Sequence, residues 1–205
     1  MSNIKKVMGW IWPIIIGVLL AVLVQWLFVA HVRVDGPSME PNLQNNEKVW
    51  AFKQSKIKHN SVIVFNAYGV DPQATDHSIK YVKRVIGLPG DTISYHADGK
   101  LYINGKLADQ SYISKREQLS GTLGPLPHSG SNYKGFTLSS LSYDENWTKN
   151  IGATKVPKNM YFVLGDHRSV SNDSRYYGFV PKSKVVGVVK AYPWAAHHTE
   201  INSFK

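Results

Sequence analysis

Between Lys6 and Arg33 the chain carries no formally charged side chain, and the stretch Trp10 to Ala30 reads WIWPIIIGVLLAVLVQWLFVA. As a helix rising about 1.5 Å per residue it would extend roughly 31 Å, matching a hydrocarbon core of about 30 Å. Trp10 and Trp12 at one end and Trp26 towards the other suit the two bilayer interfaces. Pro13 is expected in the first helical turn, where its missing N–H costs least. A cleavable signal peptide would have a shorter apolar region, and cleavage after Ala30 would leave bulky Phe28 where a small residue belongs. The pattern therefore predicts an uncleaved single anchor at residues 10–30, with 1–9 on one side and 31–205 on the other. Lys5 and Lys6 before the span, against Arg33 and Lys48 as the nearest basic residues after it, favour a cytoplasmic N-terminus.

Beyond residue 30 the period shortens. Runs rich in Val, Ile, Tyr and Phe at Glu47–Lys53, Ser61–Asn66, Ile79–Ile86, Thr92–His96, Lys100–Ile103, Met160–Leu164 and Lys184–Ala191 read as strands. Ala97-Asp98-Gly99 marks a hairpin turn, and Pro89-Gly90 a turn after the third run. No long amphipathic helix stands out. The expected fold is mainly β, a folded-sheet or barrel-like domain. Residues 107–157, rich in Ser, Gly, Asn and Lys and lacking periodicity, are expected to form an inserted flap or small subdomain.

Composition narrows the classes. The 205 residues, 43% of them hydrophobic, suffice for one substantial core. With no cysteine there can be no disulfide, no thiolate zinc site and no Cys nucleophile. The formal charge of +10 suggests nucleic acid, but the lysines are scattered from Lys53 to Lys182 and form no basic face. Anionic lipid headgroups are the better partner, and no nucleic acid is expected. The eight histidines supply no HExxH signature, and no glycine-rich loop fits a nucleotide, so neither metal nor cofactor is expected.

Three segments carry chemistry. The first is Gly36-Pro37-Ser38-Met39-Glu40-Pro41, with Ser38 eight residues past the span. If Val32 to Ser38 runs as a strand, Val32, Val34, Gly36 and Ser38 share a face, an apolar groove leading to a hydroxyl. The second is Tyr81-Val82-Lys83-Arg84, followed by Gly87-Leu88-Pro89-Gly90-Asp91. On a strand, Ile79, Tyr81, Lys83 and Val85 point one way, which places a single amine on an apolar face. That amine either snorkels to solvent or is desolvated. In the second case a shift from about 10.4 towards 7–8 would cost roughly 3.5–4.5 kcal/mol, and the neutral amine could take a proton from a serine. The third is Gly165-Asp166-His167-Arg168-Ser169-Val170-Ser171-Asn172-Asp173-Ser174-Arg175. Its spacing does not match a calcium loop, and a bundle of Asp–Arg pairs and hydroxyls that orients another group fits better.

Taken in order after a single span, these segments resemble type I bacterial signal peptidase, a Ser/Lys protease family, and look more like its Gram-positive members. The resemblance runs from the anchor to about residue 191 and is weakest in the insertion. It implies an endopeptidase that removes signal peptides after a small residue through an acyl-enzyme, at the outer face of a cell membrane. Ser38 would be the nucleophile and Lys83 the general base. Ser171 would orient the Lys83 amine, Asp173 and Arg175 would pair in support, and Asp166 and Arg168 would brace the same loop. Val32, Val34, Gly36, Tyr81 and Val82 fall at substrate-lining positions. Where some relatives place an oxyanion-donating hydroxyl, this chain has Gly36. His167, Ser169 and Val170 stand where Asn, Asp and Asn are commoner. The implied partners are signal-peptide-bearing precursors and membrane lipids. The alternative is a non-catalytic homologue that assists assembly of surface proteins, which would be expected to lack Ser38 or Lys83.

Overall fold

The computed structural model describes residues 2–121 and 135–202. Part of the predicted insertion, 122–134, lies outside the described residues, as do 203–205. Helix α1 (Ser2–Phe28) is long and apolar enough over Trp10–Phe28 to cross a membrane, and protein covers none of those side chains. It begins eight residues before the apolar run, so Pro13 sits in the helix interior instead of the first turn. There its ring removes one i→i−4 hydrogen bond. Strand β1 (Val29–Arg33) follows with no intervening residue and takes in Val29 and Ala30 from the end of the apolar run. The terminal carbonyls of α1, which lack helical partners, are met by Lys53: its N–H donates to Phe28 O at 2.9 Å and its Nζ to Trp26 O at 2.7 Å.

The rest is two antiparallel sheets. The larger runs β1, β2 (Lys48–Phe52), β11 (Val185–Lys190), β3 (Val62–Asn66), β4 (Lys80–Gly87), β9 (Met160–Leu164) and β10 (Val180–Pro181) in spatial order. It is open, with β1 and β10 at its edges, so the barrel-like form is not a closed barrel. The smaller runs β7 (Lys106–Leu107), β6 (Leu101–Ile103), β5 (Ile93–His96) and β8 (Gly135–Thr137). Its β5–β6 turn falls on Ala97-Asp98-Gly99, closed by Gly99 N–H to His96 O at 2.9 Å. Strand β8, drawn from the 107–157 range, pairs with β5. Short helices α2 (Lys115–Ser120) and α3 (Leu138–Asp144) also come from that range, while α4 (Ser174–Tyr177) and α5 (His198–Asn202) follow β9 and β11.

β3 explains why the larger sheet is stable. Four of its five residues, Val62 to Phe65, are buried, Val62 and Val64 packing in one cluster and Ile63 and Phe65 in another. Such an unbroken apolar run marks a strand covered on both faces, and each side chain so buried contributes about 1.5–3 kcal/mol. Its partner β4 inherits the same enclosure: Val82 joins the first cluster, while Tyr81 and Val85 join the second. Lys83, paired with Ile63, lies on that second face. A third cluster joins Ile93, Tyr95 and Leu101 of the smaller sheet to Ile86, Phe162 and Leu164 of the larger.

Candidate active site

Lys83 reaches Ser38 across this fold. Val34 continues the pairing with β2 for one residue beyond β1, its N–H donating to Glu47 O at 2.8 Å. The chain then turns sharply. Gly36 adopts φ +84°, a left-handed conformation that glycine tolerates without strain, and its N–H donates to Asn45 Oδ1 at 3.0 Å. The condition that Val32 to Ser38 run as one strand is therefore not met: β1 ends at Arg33, and Ser38 opens a turn. Fully buried Met39 and Leu43 pin that turn in the core. Lys83 Nζ donates to Ser38 Oγ at 2.7 Å, the one hydrogen bond it makes among the described residues.

Lys83 is 4% exposed. Burial disfavours the ammonium and lowers its pKa from 10.5 to about 8. The carboxylates of Asp173, Asp166 and Asp71 pull it back up, while the Arg175 guanidinium assists the lowering. The neutral form that burial favours is the one with a lone pair to accept a proton.

The segment 165–173 holds this pair from behind. The His167 N–H donates to Ser38 O at 3.1 Å, and its Nδ1 lies 3.2 Å from Pro37 O. Asp173 accepts from Arg175 Nε (2.9 Å) and Nη2 (2.9 Å) and from the Gly165 N–H (3.0 Å). Burial alone would raise the Asp173 carboxyl, but Arg175 and Gly165 outweigh it and hold the pKa below its usual value. The expected Asp173–Arg175 pair is thus present, both side chains buried. Arg175 Nη2 also donates to Arg168 O and Ser171 O, stitching the loop to itself.

One expected contact differs. Ser171 Oγ makes no hydrogen bond to Lys83; it is buried without a partner among the described residues. A Cβ on Gly165 would collide with that hydroxyl and with Ser38 O, so the glycine is what lets the two serine segments close up. Asp166 does not pair with Arg168. It accepts from Arg84 Nε at 2.7 Å and Nη2 at 2.6 Å and from Asn42 Nδ2 at 2.8 Å. Arg168 instead donates to Gly165 O, Tyr95 Oη, Gln110 Oε1 and Tyr112 Oη, joining the loop to the smaller sheet and the segment after it.

Of the expected substrate-lining residues, Val32 and Tyr81 line a cleft of about 460 Å³ with His31, Arg33, Asp35, Ser78, Ile79 and Lys80. Val34 (1% exposed), just past β1, and Val82 (7% exposed) on β4 are core residues whose side chains point inward. Half-buried Gly36 sits at the turn before Ser38. Among the described residues no group of three His, Asp or Glu could hold a metal ion.

Sequence reasoning missed four groups. Arg84, in a quoted motif but given no role, spans Asp166, Asn60 O and Glu200 O and stacks 4.1 Å from the Tyr112 ring centroid. Asn42 and Tyr112 complete that cluster. Asp71, in the loop between β3 and β4, accepts from Tyr81 Oη and from Asn172 Nδ2. Nothing in the spacing of these residues signals their meeting, because all the contacts but that of Asp71 with Tyr81 join segments far apart in the chain.

The model of the family described as signal peptidase, peptidase S26, matches residues 7–194. Signal peptidase I S of Bacillus subtilis (strain 168) is 34% identical over 194 residues, which cover 92% of this chain and 90% of that protein. Signal peptidase IB of Staphylococcus aureus (strain COL) is 31% identical, covering 93% of this chain and 91% of that protein. A crystal structure of a signal peptidase I from Enterococcus faecalis V583 is 34% identical, covers 65% of this chain and 97% of its own, and gives a TM-score of 0.47. This chain belongs to the signal peptidase family, peptidase S26.

Proposed function

We propose that the chain is a single-pass membrane serine endopeptidase that cleaves signal peptides from exported precursors after a small residue, with Ser38 as nucleophile and Lys83 as general base. The observation that carries this is the 2.7 Å contact between a buried amine and a half-buried hydroxyl. Neutral Nζ takes the Oγ proton as Oγ attacks the scissile carbonyl carbon. The Ser38 N–H supports the oxyanion, and no hydroxyl from position 36 assists it. The C–N bond breaks, the ammonium returns the proton to the leaving amine, and an ester joins Ser38 to the signal peptide. Water, deprotonated by the same amine, then attacks the ester, and the proton passes back to Oγ.

The Asp173–Arg175 pair and the Arg84–Asp166 pair hold the segments around the amine, and Arg168 braces the loop from its far side. Ser171 has a spare hydroxyl that a side-chain rotation would offer to the site. We place residues 1–9 in the cytoplasm, the anchor in the membrane, and the chain from about residue 31 on the outer face as the catalytic domain, with 107–157 as a subdomain upon it. Membrane lipids are neighbours in this arrangement.

The test is processing of a membrane-presented precursor by the wild type, Ser38→Ala and Lys83→Ala. Each variant is expected to lose on the order of 10⁴-fold in kcat/KM or more, as when one member of a catalytic unit is removed. Undiminished cleavage by either would sink the assignment and favour the non-catalytic assembly role.

A further inference from the structure

We propose that Asp71, in the loop between β3 and β4, is a positioning residue that fixes the Tyr81 ring beside the Lys83 amine and ties it to the 165–173 segment. The proposal rests on the Ser38–Lys83 reading above. Asp71 is 3% exposed, and its two carboxylate oxygens face different ways. Oδ1 accepts from the Gln73 N–H at 2.9 Å, folding the carboxylate's own loop. Oδ2 accepts from Tyr81 Oη at 2.8 Å and from Asn172 Nδ2 at 2.7 Å. All three neighbours donate, an arrangement suited to a carboxylate, which only accepts.

Tyr81 is thereby held at both ends. Its hydroxyl is bound by Asp71. Its ring packs edge-on against Phe65 at 5.9 Å, lies 6.4 Å from Tyr177, and presents its face to Lys83 Nζ at 5.3 Å. Burial, with the Asp71 bond second, pushes the phenol up to about 12, so it remains a donor throughout the working range. The same ring lines the cleft between β1 and the start of β4. One carboxylate thus joins the wall of the cleft, the base and the loop behind the base. Asn172 lies between Ser171 and Asp173, so its bond to Asp71 registers that loop against β4.

Asp71 also acts by charge. The groups facing the amine are Asp173 and Asp166 from the loop, Arg175 from α4, Tyr81 from β4, Ser38 from its turn, and Asp71 from the β3–β4 loop. Asp71 favours the ammonium, so removing its charge lets the amine lose its proton at lower pH.

The experiment uses the full chain in lipid vesicles, with precursors carrying Ala or Val just before the scissile bond. Asp71→Asn keeps an oxygen to accept with but loses the charge, so the acid limb of its kcat/KM profile is expected to move to lower pH. Asp71→Ala and Tyr81→Phe break the contact outright. Each is expected to lose about tenfold in kcat/KM, the usual scale for a hydrogen bond to a charged group, and to discriminate less well between Ala and Val. Unchanged acid limb and unchanged discrimination in all three would overturn the proposal, whether or not overall rate or yield falls. Should Asp71→Ala fail to fold, the other two variants decide. If Lys83→Ala in the same assay still cleaves, the dyad reading fails; if it is dead while the Asp71 and Tyr81 variants behave as wild type, only this proposal does.

Discussion

Holding Lys83 as the fold does is costly. Lowering an amine from 10.5 to about 8 corresponds to about 3 kcal/mol of destabilised ammonium, more than the ~1 kcal/mol that a typical hydrogen bond such as the one to Ser38 returns. A core position on an apolar face would be more stable with Met or Leu, a cost that the proposed role of the amine as general base accounts for. The sign of the pH dependence follows. Below about 8 the amine is protonated and has no lone pair; above it the base is ready. The kcat/KM of the free enzyme should therefore climb with pH through about 8 and level off above it. Substrate that excludes water from the amine would push the limb of kcat lower still. A rate profile flat from about pH 6 to 9 would show that some other group takes the proton.

Among the elements, the segment from β9 to α4 decides the geometry. Its Gly165 faces the Ser171 hydroxyl and Ser38 O too closely for any side chain. Gly165→Ala must push one of them away. A loss of about 1–3 kcal/mol in stability is expected from such overpacking, read by thermal unfolding, with a disproportionate fall in kcat as Ser38 leaves the amine. A variant as active as wild type would show that the close approach is not needed. The sequence revealed much of this element and of its neighbours. β9 was predicted to the residue, and β2, β3, β4, β5, β6 and β11 to within one or two at either end, because their apolar runs are bounded by clear turns. Lys83 was legible as the single amine on an apolar face. The partners of Asp166 and Arg168 were not. Their bonds reach back to Arg84 on β4 and Tyr95 on β5, and sequence order does not say which of several buried Asp and Arg residues will meet. Val34 and Val82, substrate-lining by resemblance, lie in the core. Alternation gives a side chain's parity, but not whether both faces of its strand are covered.

At the scale of the whole molecule, two joints matter. One is Arg168, buried among the hydroxyls of Tyr95 and Tyr112 and the amide of Gln110, which joins the smaller sheet to the loop beside Ser38 and Lys83. The other is the passage from α1 to β1. No residue separates Phe28 from Val29, and Lys53 grips the last carbonyls of the helix, so α1 runs into the sheet without a linker. Inserting about six Gly and Ser residues there would add a flexible coil of roughly 12–15 Å. Released mature proteins are then expected to show ragged N-termini by mass spectrometry, while a short soluble peptide is cut as before. Uniform N-termini would mean that the precursor alone chooses the bond. If α1 spans the bilayer and Ser38 cuts as proposed, the joint is a gauge as well as a blade: a fixed stand-off above the lipid would select which peptide bond comes level with Ser38, and unrelated exported chains would be trimmed at one height.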